Sequence, residues 1–143
     1  SDVERAAQWP VSDFVLESRV RTRHPELPEP VLNEVVKQSL RKYVEPEAYR
    51  ERIWEIDRFW PEIREKLRGM LIPYQEIEAA LLAAGAPTKA SEIGVDDEIL
   101  AHTVLVAKDI RSRYTILDLA EDLGILRSFC EMVQRGMLSN WGS

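Results

Sequence analysis

Residues 79–125 read AALLAAGAPTKASEIGVDDEILAHTVLVAKDIRSRYTILDLAEDLGI, and the reading of this run decides the fold. A short helix from Pro73 to Ala84 leads into it, with Ile77, Ala80, Leu81 and Ala84 on one face at helical spacing. Gly85 stands where a helix end needs a left-handed residue, and Pro87 keeps that helix from resuming. Thr88 can cap a single turn through Ser91 to Ile93, which Gly94 ends. Asp96 offers a fresh N-cap, with Asp97 and Glu98 in the first turn, where the helix dipole favours acids. Ile99, Leu100, Val104, Ala107 and Ile110 form the next apolar stripe. Thr115 with Asp118 resembles a capping box, although the usual acid is Glu. Ile116, Leu119, Ala120 and Leu123 follow, and Gly124 stops that helix. Starts and stops at this density specify a helical scaffold.

The same devices recur upstream. Ser12 can cap a helix through about Arg23, with Val15, Leu16 and Val20 inward, and His24-Pro25 and Pro28 break it. Pro30 suits the first turn of the next helix, where its missing N–H costs nothing. That helix has Leu32, Val35, Val36, Leu40 and Tyr43 as its stripe. Glu45-Pro46-Glu47 repeats the start, and Tyr49, Ile53, Ile56 and Trp60 follow at helical spacing. Pro61 begins another helix with Ile63, Leu67 and Met70 inward. Beyond Gly124, Leu126, Phe129, Cys130 and Val133 give a last helix that frays near Gly136. Residues 1–10 show only an extended Trp9-Pro10 lead-in. No run alternates with period two for long, so no strand is predicted. The chain reads as all-α, a multi-helix bundle of about seven to nine helices, several of them short.

At 143 residues and 45% hydrophobic composition the chain can bury one real core. A net charge of −6 argues against a nucleic-acid partner. The single cysteine, Cys130, excludes an internal disulfide and suits a reducing cytoplasm. Its apolar neighbours make it a buried small side chain rather than a nucleophile. No stretch approaches the roughly 20 apolar residues of a membrane span. The chain lacks an initiator methionine, which predicts a trimmed piece of a longer protein.

The chemistry-bearing residues are sparse. A catalytic metal needs about three clustered ligands, and the two histidines, His24 and His102, lie far apart in sequence. His102 has Glu98 one turn before it, the pattern of a boundary histidine, and His24 sits at a helix end. The six glycines are scattered as helix stops, with no glycine-rich loop to cradle a pyrophosphate. Arg111 and Arg113 beside Tyr114 can contact a phosphate or a domain interface, or else pair with carboxylates at a helix junction. The basic run Arg19, Arg21, Arg23 and the pair Arg41, Lys42 read as solvated helix faces. Four tryptophans (Trp9, Trp54, Trp60 and Trp141) exceed what a bundle of this size requires; core packing is the expectation for each.

The strings AGAPTKASEIGV (residues 84–95) and IRSRYTILDLAEDLGIL (residues 110–126) resemble the C-terminal signature of the glycerol-1-phosphate dehydrogenases. These belong to the larger superfamily of iron-containing alcohol dehydrogenases and dehydroquinate synthases. The resemblance implies the C-terminal helical domain of a dehydroquinate synthase-like fold. It would be one domain over residues 1–143: a lead-in at 1–11, N-terminal helices at 12–72, signature helices at 73–137 and a frayed tail at 138–143. For the full-length enzyme it implies NAD(P)H-dependent reduction of dihydroxyacetone phosphate to sn-glycerol 1-phosphate, assisted by a divalent metal, typically zinc. The partners implied are the nucleotide-binding domain absent from this chain, a small-molecule substrate and further copies in a homo-oligomer. In the family the metal is held by one aspartate and two histidines, and neither Arg23-His24-Pro25 nor Ala101-His102-Thr103 matches their contexts. No catalytic, cofactor-binding or metal-binding residue is therefore assigned within the chain, and the segment alone is expected to be inactive. Two alternatives stand beside this reading: the equivalent domain of a glycerol dehydrogenase, and a free-standing helical domain that binds a protein partner.

Overall fold

The computed structural model describes residues 2–8 and 11–137, so the tail at 138–143, Trp9 and Trp141 lie outside the described residues. Among those described, every regular element is helical. In order they are α1 (Asp2–Gln8), α2 (Asp13–Arg23), α3 (Glu29–Leu40), α4 (Pro46–Arg58), α5 (Trp60–Met70), α6 (Tyr74–Ala83), a 3₁₀ turn (Ala90–Ile93), α7 (Asp97–Val106), α8 (Ile116–Asp122) and α9 (Leu126–Gln134). The all-α expectation holds, as does the helix count.

Local chemistry accounts for most boundaries. Ser12 Oγ accepts from the Val15 N–H at 3.2 Å to open α2, and Asp96 Oδ1 accepts from the Ile99 N–H at 2.8 Å to open α7. Prolines sit in the first turns of α3, α4 and α5. Gly85 takes φ 70° after α6, where the Ala86 N–H reaches back to the Leu81 carbonyl at 2.9 Å. One start differs from expectation. The cap of the 3₁₀ turn is Lys89 rather than Thr88, because the Glu92 carboxylate reaches back to both the Thr88 and Lys89 N–H groups, at 2.7 and 2.9 Å.

Packing divides into three small cores. Helix α1 lies on α4, burying Ala6 and Ala7 against Tyr49, Ile53 and Leu119. The lead-in therefore carries a docked helix, where the sequence showed only an extended entrance. Helix α2 lies on α3 through Val20, Leu32, Val35 and Val36, and α7 lies on α9 through Ala101, Leu126, Cys130 and Val133. Each fully buried aliphatic side chain among these, such as Ile53 or Leu126, contributes roughly 1.5–3 kcal/mol.

Several apolar positions are not covered. Val15, Ile99 and Ile110 are exposed, and Tyr43 falls beyond the end of α3. Helices α5 and α6 bury no residue at all: Leu67 and Met70, expected inward, face outward, as do Ile77 and Leu81. Trp54 and Trp60 are also exposed rather than packed. A compact chain of this mass exposes about 7,500 Å², whereas this one exposes 10282 Å². No described helix is long and apolar enough to cross a membrane.

Candidate functional site

The polar centre of the molecule is an ionic junction where the ends of α2, α3 and α7 meet α8. Its middle is Asp109, wholly buried just past the end of α7. His24, the C-cap of α2, places Nε2 3.2 Å from Asp109 Oδ2. Lys108 Nζ stands 3.0 Å from Asp109 Oδ1 and 2.6 Å from Glu121 Oε2. Arg23, the last residue of α2, pairs with Glu121 Oε1 through Nη2, and Arg19 Nη1 approaches the same oxygen at 3.4 Å. Arg23 Nη1 finds no hydrogen-bond acceptor among the described residues and rests 3.7 Å from Asp109 Oδ1. The Ser39 hydroxyl, from α3, donates to the Asp109 carbonyl at 2.7 Å.

A second limb runs outward from the same turn. Lys42 Nζ donates to the Lys108 carbonyl at 2.6 Å and to Asp118 Oδ1 at 2.7 Å. The other oxygen of Asp118 accepts from both the N–H and the hydroxyl of Thr115, each at 2.7 Å. One carboxylate thus caps α8 and anchors α3. The expected capping box is present, and while one oxygen of Asp118 closes it the other takes Lys42. Next to it the Tyr114 hydroxyl donates to Asp122 Oδ2 at 2.6 Å, and the Arg52 guanidinium lies 4.7 Å above the Tyr114 ring.

Formal charges balance: Arg19, Arg23, Lys42 and Lys108 pair with Asp109, Asp118 and Glu121, and Asp122, bonded to Tyr114, stands beside them. Burial raises the Glu121 carboxyl, but hydrogen bonds from Arg23 and Lys108 outweigh it and hold the group near 2. Burial, followed by the bond to Asp122, pushes the Tyr114 phenol well up, so it stays a protonated donor. Burial raises Asp122 as well. Breaking any one pair would strand its partner charge in the interior. The arrangement therefore holds four chain segments in register; its cations and carboxylates are spent on one another.

Beside the junction a pocket of about 70 Å³ opens among Arg19, Lys42, Tyr49, Arg52, Tyr114 and Asp122. That is room for a few waters. Of the sequence candidates, Tyr114 forms part of its wall, while Arg111 and Arg113 are exposed on the outer side of the same loop. The loop thus presents Lys108 and Asp109 inward and two arginines outward. Arg23, Lys42 and, in part, Arg19 are not solvated as expected: side-chain exposure falls to 15%, 7% and 33% because each is drawn onto a carboxylate. Arg21 is half-exposed like Arg19 and pairs with Glu17 and Glu29, and Arg41 remains at the surface. His24, at the end of α2 as expected, is buried as a structural member of the junction, whereas His102 is exposed. Cys130 is buried between α7 and α9, its thiol pushed up by burial.

These residues do not fit a catalytic metal. No group of three His, Cys, Asp or Glu side chains among the described residues is placed to hold one. The nearest approach, His24 with Asp109, already has Lys108 and Arg23 on the carboxylate, where a metal cation would be repelled.

The fold and junction define a class, an all-helical scaffold locked by buried ion pairs. Comparison with known proteins gives a narrower likeness, and it is to the glycerol-1-phosphate dehydrogenases. The glycerol-1-phosphate dehydrogenase [NAD(P)+] of Haloquadratum walsbyi is 48% identical over 44 residues, 31% of this chain and 13% of that protein. The protein of the same name from Methanosarcina mazei is 49% identical over 45 residues, again 31% of the chain and 13% of the relative. That of Methanospirillum hungatei is 40% identical over 59 residues, 41% of the chain and 15% of the relative. The matched stretches thus span less than a sixth of these relatives' own length. No family model and no solved structure matches the chain.

Proposed function

We propose that this chain is the C-terminal helical part of an NAD(P)-dependent sn-glycerol-1-phosphate dehydrogenase and that it supplies scaffold rather than chemistry. The observation that carries this reading is the 40–49% identity to proteins of that name over about a third of the chain. A whole enzyme of this kind would use NAD(P) to supply or accept hydride at the carbonyl carbon of dihydroxyacetone phosphate, and a divalent metal such as zinc, held by another part of the protein, would polarise that carbonyl. The ionic junction fixes the loop of residues 107–115 against α8, and the exposed Arg111 and Arg113 face the nucleotide-binding part or the substrate phosphate. A guanidinium suits either role, since it binds phosphate or carboxylate through two parallel N–H groups. A cytoplasmic setting goes with this reading. The nearest competing activity, glycerol dehydrogenase, differs in lacking the phosphate.

A graft tests the reading. The matched stretch of the Methanosarcina mazei enzyme is replaced by the corresponding residues of this chain, and oxidation of glycerol 1-phosphate by NAD+ is compared with that of unphosphorylated glycerol. The expected result is activity within about tenfold of the parent, with the phosphorylated substrate preferred. A graft that melts like the parent enzyme yet turns over neither substrate, or prefers glycerol, contradicts it.

A further inference from the structure

Where α2 passes the start of α9, a second pocket opens beside the ionic junction. Its volume is about 300 Å³, at the low end for a small-ligand site, and its wall includes Arg19, Arg23, Glu121, Gly124 and Arg127. We propose that this pocket binds a terminal phosphate group, free or carried by a small organic molecule, and that the bound phosphate ties α2 to α9. This holds whether or not the chain comes from a dehydrogenase, since neither Arg111 nor Arg113 lines the pocket.

Charge selects the ligand. The junction balances as a whole, but Asp109, Asp118 and Asp122 do not line this pocket. Its wall sets the guanidiniums of Arg19, Arg23 and Arg127 against one carboxylate, Glu121. Both oxygens of Glu121 are already engaged, Oε2 by Lys108 and Oε1 by Arg23 and Arg19. A guanidinium carries five N–H donors, and Glu121 occupies one nitrogen of Arg19 and one of Arg23. The buried Nη1 of Arg23 has no hydrogen-bond acceptor among the described residues, a donor still to be matched. Arg127, in the first turn of α9, is exposed and joins no ion pair among the described residues, and that turn carries no acid. Arg5 adds a guanidinium at the rim beside Gly124, its Nη2 donating to the Leu123 carbonyl at 3.4 Å. The pocket is thus positive by at least two charges in a chain whose net charge is −6. A phosphate dianion matches that surplus, and its tetrahedral oxygens accept from guanidiniums on two helices at once. A carboxylate brings one charge. The bridging diphosphate of a dinucleotide, with a nucleoside on either side, is bulkier than a pocket of this size admits.

Isothermal titration of the 143-residue chain with inorganic phosphate and with glycerol 2-phosphate, at low salt, should show one site with a Kd of about 1 mM or tighter for at least one of them. The tighter probe tells whether the phosphate is taken free or on an organic group. Arg127→Ala should weaken binding at least about fivefold and Arg127→Lys less, since lysine keeps the charge. The Arg127→Ala melting temperature should stay within about 2 °C of the parent, because the side chain is exposed. Added phosphate should raise the parent's melting temperature more than the variant's. Arg111→Ala with Arg113→Ala should bind phosphate as the parent does. No saturable heat from either probe up to about 10 mM overturns the proposal. So do acetate binding as tight as phosphate, an Arg127→Ala chain that binds like the parent, and loss of binding in the Arg111–Arg113 variant.

Discussion

Replacing Glu121 with glutamine removes one negative charge from the ionic junction while keeping the shape of the side chain. The carboxylate takes Lys108 at 2.6 Å on Oε2, and Arg23 with Arg19 on Oε1. Its side chain is only 15% exposed, so solvent screens these contacts little. Holding the carboxyl near 2 against an ordinary 4.5 amounts to about 3 kcal/mol of folded-state preference for the anion. Mutational experience with one-sided loss of a buried pair gives a similar ~3–5 kcal/mol. Glu121→Gln should therefore lower the melting temperature by about 10 °C, read by circular dichroism at neutral pH. Adding Lys108→Met should cost less than the sum of the two single changes, because the first has already stranded the lysine. A melting temperature within about 2 °C of the parent, or strict additivity, would refute the claim that the junction holds the helices together.

Three further outcomes follow from the same geometry. Glu121 has its folded-state pKa depressed, so its contribution is fully present above about 4.5 and is lost as pH falls through about 2. Urea midpoints should fall across that window and flatten there in Glu121→Gln; a parent midpoint independent of pH between 5 and 2 contradicts this. Gly85 holds φ 70° with open space around an added Cβ, so Gly85→Val should cost roughly 1–2 kcal/mol through backbone strain alone. Ala84→Ser should cost less, and equal melting temperatures for Gly85→Val and the parent would show the cap to be tolerant. Leu126, 2% exposed in the α7–α9 core, should cost about 2–5 kcal/mol when cut to alanine; a loss under about 1 kcal/mol would mean the helices close over the cavity.

The helix boundaries were legible because they are set locally. Ser12, Asp96 and the Thr115–Asp118 box each satisfy N–H groups within three residues of themselves. Gly85, Gly94 and Gly124 supply the positive φ that ends a helix, as their spacing indicated. Helix α1 is illegible in the sequence because its buried face is only Ala6 and Ala7, too small to stand out as a stripe. The junction was illegible for another reason. Arg23 meets Glu121 across 98 positions and Lys42 meets Asp118 across 76, and a charged residue on a helix face carries no local mark of a distant partner. One signal was available: Lys108-Asp109 falls just beyond the apolar helix α7, and charges that close to a core are buried only when paired. In α5 and α6 the periodicity marks a helix but not what covers it: Leu67 and Met70, expected inward, face outward.

The function proposed above makes this chain a scaffold and would place nicotinamide chemistry in another part of a longer enzyme. Isothermal titration of NADH into the 143-residue chain tests that most directly. The predicted result is no saturable heat at concentrations up to about 1 mM. Stoichiometric binding at micromolar affinity would contradict the scaffold role and mark the chain as a nucleotide-binding unit in its own right.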